Sequence, residues 1–459
     1  MQKNCSTTLK KVETNLPEVF DLFSGCGGLA LGFKASGYNI KQGIEISESA
    51  SKTFSYNFYW KNGLKKDHIC ADVKNVSSSF FKERFDDNGC IIVGGPPCQA
   101  YSKIGKAKLR SLGEDRISTN DPRGYLFNEL LRFAYELNTK AVVVENVPES
   151  TNYGGINIPQ YISESLEKKG FESYWTLLNS ADFGVPQIRE RIFVVGIRRD
   201  IIHSFELPEP THRSNDLNIT RNEMRFKYFS KFKNFKKPKK AKESLPNWIT
   251  VGDAILDLPV LFSNSNSKYK LNKLNMYMDY KSGPQNQFQK KMRTWSEREE
   301  RKVTGHAFRK NTRDFIIFEK MNQGDDYRDA SKIADLLLEE ECRLNNINKI
   351  ENPQEYKKLR KKIVPPYDRS KFFGKWKRLD QNKPSHTLVA HLDTDTYSHI
   401  HPWEPRGISV REAARLQSFP DDFLFQCTMG DAFRQIGNAV PPLLSKSVAE
   451  SIKKSLMGS

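Results

Sequence analysis

Between Val19 and Ile197 short apolar runs alternate with amphipathic stretches. Val19-Phe-Asp-Leu-Phe23, Ile40 to Ile46, Cys90-Ile-Ile-Val-Gly94, Ala141-Val-Val-Val-Glu145 and Arg191-Ile-Phe-Val-Val-Gly-Ile197 have the length and character of buried strands. Tyr125 to Leu137 carries apolar residues near helical spacing, which predicts a helix. Near-continuous apolar strands alternating with helices are the pattern of a sheet covered on both faces. The expected fold class is therefore α/β, a doubly wound, mostly parallel sheet. Past about residue 200 the alternation stops. Residues 201–380 are rich in Lys, Asn and aromatics and predict loops and short strands, with one helix over Ala330 to Asn345. Regularity returns at Ile408. Ser409 with Glu412 three residues on marks a capped helix over Ser409 to Leu416, and a last helix begins at Pro441-Pro442. The expected organisation is a catalytic domain over 1–200, a smaller irregular domain over 201–408 and a segment over 409–459 that returns to the first.

Composition narrows the classes. Of 459 residues 37% are hydrophobic, enough for a substantial core, and no run of about 18 apolar residues could span a membrane. The polar stretch Met1 to Lys10 lacks the apolar centre of a secretion signal, so a cytoplasmic protein is expected. Seven cysteines, an odd number with no Cys-x-x-Cys pair, argue against a disulfide framework or structural zinc, and no metal is expected. The net charge of +18 is unevenly spread. Residues 201–380 hold 39 Lys+Arg against 24 Asp+Glu, leaving 34 against 31 elsewhere. The densest piece is Lys231 to Lys240. A basic excess confined to one region points to a polyanion, whereas an evenly lysine-rich surface would be merely solvated.

Two groups of residues carry candidate chemistry. Asp21-Leu-Phe-Ser-Gly-Cys-Gly-Gly28 joins a strand to a helix, and its glycines permit a tight turn with close backbone approach by a ligand. Gly25 and Gly27 fit the start of a dinucleotide-binding G-x-G-x-x-G, but the sixth position is Ala30, which favours a ligand without a pyrophosphate. Glu45 ends the next strand, where a carboxylate can accept from two ribose hydroxyls, and Asp72 ends a later segment within reach of an adenine amino group. Cys26 reads as a packing residue. The second group begins at Gly94-Gly-Pro-Pro-Cys-Gln99. Two prolines stiffen the chain before Cys98, at the strand end where open α/β sheets bind ligands, which makes Cys98 a candidate nucleophile. Tyr101 to Arg123 reads as a loop over that site. Glu145 ends another strand, and desolvation there would raise its pKa and suit it to donate a proton. Arg189 and Arg191 in Gln187-Ile-Arg-Glu-Arg-Ile192 share one face by period-two alternation and suggest an anion or carbonyl partner.

In order, Asp21 to Gly28, Gly94 to Gln99, Glu145-Asn-Val147, Gln187 to Arg191, Arg411 to Pro420 and Gln435-Ile-Gly-Asn-Ala-Val-Pro441 resemble the bacterial DNA cytosine-5 methyltransferases of restriction–modification systems. The match covers about 18–200 and 375–450, with Tyr101 where the family usually has Phe. The resemblance implies an S-adenosylmethionine-dependent, Rossmann-like catalytic domain with a target-recognition domain in the basic region. It implies Cys98 as nucleophile, Glu145 as proton donor, Arg191 on the base carbonyl and Arg189 on backbone or loop. It implies a cofactor site from Phe23, Ser24, Gly25, Cys26, Gly27, Gly28, Leu29, Glu45, Ile46, Asp72, Val73, Pro96, Asn438 and Val440. The implied substrate is duplex DNA with its target cytosine flipped out, the implied state a monomer, and the implied companion a separately acting restriction endonuclease. An RNA methyltransferase on the same scaffold and a non-catalytic DNA-binding relative are the competing expectations.

Overall fold

The computed structural model describes residues 16–82, 89–97, 126–214, 223–261, 274–309, 312–369, 375–392 and 397–458. Seven strands form the central sheet: β1 (Glu18–Leu22), β2 (Ile40–Glu45), β3 (Ile69–Cys70), β4 (Cys90–Gly94), β5 (Ala141–Asn146), β6 (Phe171–Asn179) and β7 (Glu190–Arg198), in the order β3-β2-β1-β4-β5-β7-β6. The first five run parallel, and β7 lies antiparallel between β5 and β6.

Alternation along the strands divides the core into two layers. Val19, Ile91, Val93, Val143, Phe193 and Val195 face one layer, shared with helix α1 (Gly28–Ala35) and the last helix, Pro442–Met457. Phe20, Leu22, Ile92, Val142, Val144 and Val194 face the other, shared with helices Phe127–Glu136 and Ile158–Glu167. Period-two side chains with both faces buried are what the apolar runs dictate.

Strand β6 and helix Ile158–Glu167 are not visible in the sequence pattern. In β6 the polar Ser173 and Thr176 are buried beside Tyr174 and Trp175, so hydrophobicity does not trace its two faces. Being an edge strand, β6 needs cover. The amide of Trp175 donates to the Asn234 carbonyl at 2.9 Å and its carbonyl accepts from the Lys236 amide at 2.9 Å. Phe229 packs edge-on and Phe235 tilted against the Trp175 ring, with centroids 5.2 and 4.8 Å away. The densest basic stretch is thus partly a strap on the catalytic sheet. Two of its lysines are ion-paired there, Lys233 with Glu167 at 3.0 Å and Lys239 with Glu209 at 2.9 Å.

The region beyond residue 200 is more helical than its composition suggests. Helices Thr312–Lys320, Tyr327–Leu344 and Pro353–Ile363 gather about a third core containing Phe318, Tyr327, Trp376 and Tyr397. The helix expected near Ala330 begins at Tyr327, capped by Asp326 and Asp329 in a reciprocal box.

From this core the chain returns through helix Val410–Leu416, capped by Ser409 and Glu412. Its arginines tie the two regions together. Arg411 donates to the carbonyls of Thr304, Pro420 and Phe423 at 2.8–2.9 Å. Arg415 pairs with Asp421 at 2.6 Å and with Asp257 at 3.2 Å, all three buried. Removing one partner of such a pair leaves a buried charge and costs about 3–5 kcal/mol, so the cluster fixes one docking arrangement.

Candidate active site

The carboxyl ends of β1, β2, β3, β4 and β5 open toward one edge, where parallel α/β sheets place their ligands. The turn after β1 is unusual. Phe23 (φ 57°), Gly25 (φ 55°) and Gly27 (φ 97°) all adopt left-handed backbone, costly for a bulky residue such as Phe. A β-carbon on Gly27 would lie 2.4 Å from the Phe58 ring, so only glycine fits. A β-carbon on Gly25 would meet nothing within 4 Å, which leaves its outer side open to a ligand.

Glu45 closes this turn. Its carboxylate accepts from the Gly25 amide at 2.9 Å and from the Ser47 amide at 2.8 Å. Burial raises its pKa, and these amides oppose the rise. Beside it Ile46 is 69% exposed, an apolar side chain held in solvent at the rim. Asp72 accepts from the Lys74 amide at 3.0 Å.

Several predicted positions offer backbone only. Cys26 is buried with its Sγ 3.9 Å from the Gln435 carbonyl, and burial pushes its thiol far up. Leu29 is buried, and its carbonyl accepts from Ser445 at 2.5 Å. Val73 packs in the core, and its carbonyl accepts from Arg132 at 3.3 Å. The C-terminal segment does meet the first turn: a β-carbon on Gly28 would stand 2.4 Å from the Val440 carbonyl oxygen. Val440 is buried there, whereas Asn438 is exposed.

Glu145 is buried at the end of β5, and its Oε1 is 2.9 Å from Arg191 Nε. Burial raises its pKa, opposed by Arg191 and then Arg189. The net rise favours the protonated acid even beside a guanidinium. A β-carbon on Gly95 would sit 3.0 Å from Glu145 Oε2, and Asn146 Nδ2 donates to the Pro96 carbonyl at 3.4 Å. Gly95 and Pro96, on the approach to Cys98, therefore lie against Glu145 and Asn146. Cys98 itself and the Tyr101 to Arg123 loop lie outside the described residues.

The two arginines differ. Arg191 faces Glu145. Arg189 is 1% exposed and donates to the carbonyls of Leu388 at 2.8 Å, Gly437 at 2.8 Å and Ala439 at 3.2 Å. Arg189 thus holds main-chain carbonyls of the returning chain, whereas Arg191 stays beside the Glu145 carboxyl. Two glutamines act with Arg189. Gln187 bonds the Leu388 amide at 2.9 Å and the Gln417 side chain, and Gln417 donates to the carbonyls of Ile436 at 3.1 Å and Ala439 at 2.6 Å. Sequence reasoning placed no function on Gln187, Gln417 or His68. Their partners lie up to 230 residues away or in unpatterned sequence, so no local signal marks them.

A family model for C-5 cytosine-specific DNA methylases matches residues 18–454. This chain belongs to that family. The methylase is 53% identical over 451 residues to the type II methyltransferase M.OihORF3336P of Oceanobacillus iheyensis, covering 97% of each chain. It is 28% identical to the type II methyltransferase M.AgeI of Thalassovita gelatinovora, over 95% of this chain and 99% of that one. Among solved structures, a prophage-encoded DNA modification methyltransferase of E. coli superposes with a TM-score of 0.61 at 23% identity, over 96% of this chain and 99% of the other. That likeness concerns the fold, a mostly parallel sheet with flanking helices. Among the described residues no helix of the methylase is long and apolar enough to cross a membrane.

Proposed function

We propose that this DNA (cytosine-5-)-methyltransferase methylates carbon 5 of a flipped-out cytosine in a specific duplex sequence, through a covalent adduct with Cys98, and so protects DNA from a companion endonuclease. The observation that carries the proposal is the buried Glu145–Arg191 pair set against Gly95, three residues before Cys98.

Carbon 6 of cytosine is a weak electrophile until nitrogen 3 carries a proton. Glu145, whose pKa burial raises, supplies that proton as the Cys98 thiolate adds to carbon 6. Arg191, partly exposed beside Glu145, orients the carboxyl and offers its remaining N–H groups to the base carbonyl. Addition turns carbon 5 into a nucleophile. Loss of its proton after methylation and elimination of Cys98 restore the aromatic ring and free the thiolate.

The turn after β1 fits S-adenosylmethionine by its own features. Gly25 has open space above it, the Glu45 carboxylate stands at the rim with acceptor capacity left for ribose hydroxyls, Asp72 can accept from the adenine amino group, and the exposed Ile46 offers an apolar face to a base. When bound, that cofactor supplies an electrophilic methyl group on sulfur. Phe23, Ser24, Pro96, Asn438 and Val440 would complete the cradle, and Gly27, Gly28, Cys26, Leu29 and Val73 would contribute main chain.

A base inside a duplex cannot reach a sheet edge, so the target leaves the stack at a cost of roughly a few kcal/mol. The basic residues of 201–380 offset this cost through phosphate contacts. Bisulfite sequencing of DNA from cells expressing the methylase should show one methylated motif, and DNA methylated by it should resist an endonuclease of that specificity. Methylation of tRNA alone would refute the proposal. A Cys98→Ser protein that methylates DNA at the normal rate would refute the covalent route.

A further inference from the structure

His68 lies outside every motif, yet it is buried where the cofactor turn meets helix α2 (Glu48–Phe58). Its Nε2 is 2.8 Å from Ser24 Oγ and its Nδ1 is 3.1 Å from Ser51 Oγ. Its amide donates to Ser55 Oγ at 2.9 Å, and its ring lies against Phe54 with centroids 4.3 Å apart. Gly43 makes room for it, since a β-carbon there would fall 2.6 Å from Nε2. Both ring nitrogens are engaged by hydroxyls, and no carboxylate pairs with the ring among these contacts. Burial pushes its pKa down to about 3, so the ring is neutral at physiological pH.

A neutral imidazole has one donor and one acceptor nitrogen. Ser24 Oγ lies 2.8 Å from Nε2 and 3.4 Å from the Ile44 carbonyl, so its one proton has two acceptors in reach. With that proton on the carbonyl side, Oγ accepts from Nε2–H and Nδ1 accepts from Ser51. This arrangement is a directional chain from Ser51 through His68 and Ser24 to the main chain of β2. It fixes the residue that opens the cofactor turn, one position before Gly25, whose amide Glu45 holds. It also spends the Ser24 proton, so any further partner of that oxygen must be a donor.

We propose that His68 is a positioning residue of the cofactor site: its Nε2–H tautomer anchors the Ser24 to Gly28 turn and leaves Ser24 Oγ as a pure acceptor for a ligand donor such as an ammonium group. The proposal rests on the assignment of this turn to S-adenosylmethionine. The test is calorimetric titration of the full-length protein with S-adenosylhomocysteine. His68→Ala should weaken binding by about tenfold, the loss of one buried hydrogen bond. Adding Ser24→Ala to His68→Ala should weaken binding less than Ser24→Ala does in the parent, because the two residues share one link, although the ligand contact of Ser24 Oγ is lost in both cases. His68→Gln, whose amide nitrogen can occupy the place of Nε2, should bind within about threefold of the parent, whereas His68→Asn, which reaches only the place of Nδ1, should not. Equal weakening by Gln and Asn at equal thermal midpoints would reduce His68 to a filler and overturn the proposal. So would wild-type affinity in a folded His68→Ala protein, or nitrogen-15 shifts that place the proton on Nδ1. Failure of the parent protein to bind S-adenosylhomocysteine at all would instead remove the assignment of the turn.

Discussion

Arg189 and Arg191 stand two residues apart in one motif, and their surroundings predict opposite consequences of mutation. In Arg189→Met the side-chain volume is largely kept while the guanidinium is lost. Three carbonyls lose a donor, but that of Ala439 keeps Gln417 at 2.6 Å. The carbonyls of Leu388 and Gly437 lose their Arg189 hydrogen bonds. A buried polar group left without its partner costs about 1–3 kcal/mol, so the variant should be destabilised by roughly 2–6 kcal/mol. Arg189→Lys, able to reach one of the two, should recover about half. Urea unfolding followed by fluorescence measures this loss. At low temperature, where the variants remain folded, turnover at saturating cofactor should stay near that of the parent, and weaker cofactor binding should account for most of any lost activity. In Arg191→Met the distinguishing effect should instead be on chemistry, with turnover strongly reduced even at low temperature where the variant is folded. An Arg189→Met protein with the parent's unfolding midpoint and abolished turnover would refute the distinction and place Arg189 at the reacting base.

Three further outcomes are expected. Glu145→Gln should fold normally and lose about 10²–10⁴-fold in turnover; because burial raises the Glu145 pKa and Arg191 opposes the rise, activity should fall as pH climbs through that pKa, and Arg191→Met should move this limb to higher pH. Gly28→Ala should force the Val440 carbonyl away, costing about 1–3 kcal/mol of stability by overpacking, with weaker S-adenosylhomocysteine binding by calorimetry. Buried His386 and His401 have pKa values lowered to about 4, so the unfolded chain takes up protons that the native state excludes. Their contribution is complete above about pH 6.5 and fades as pH falls toward 4, by up to about 1.4 kcal/mol per pH unit for each, measurable as a falling urea midpoint.

The parts of this fold that could be read from sequence are those whose burial is local and complete. β4 is a continuous apolar run and β1 and β5 are nearly so, because both of their faces are covered, and the carboxyl ends of β2, β3 and β5 place Glu45, Asp72 and Glu145 at one edge. β6 escaped because Ser173 and Thr176 are buried in it and its partner strap is a lysine-rich stretch that resembles solvent-facing sequence. Residue pattern alone did not separate Arg189 from Arg191; only the family resemblance gave them different roles. Alternation puts both on one side of β7, but which one meets the returning chain depends on contacts about 200 to 250 residues away. His68 had no signal at all, since its environment comes from Ser24, Ser51 and Gly43, residues with no pattern of their own.

The floor of the cofactor turn is laid by residues more than 400 positions downstream: Cys26 touches the Gln435 carbonyl, Leu29 is bonded by Ser445, and Val440 lies against Gly28. Synthesis at roughly 5–20 residues per second delivers those residues tens of seconds after the turn itself. A ribosome-bound chain therefore carries its cofactor loop unsupported until the last helix emerges, and messages broken upstream of codon 428 yield products with an unclosed site. Methyl transfer then depends on Gln435, Val440 and Ser445 as much as on the turn they support.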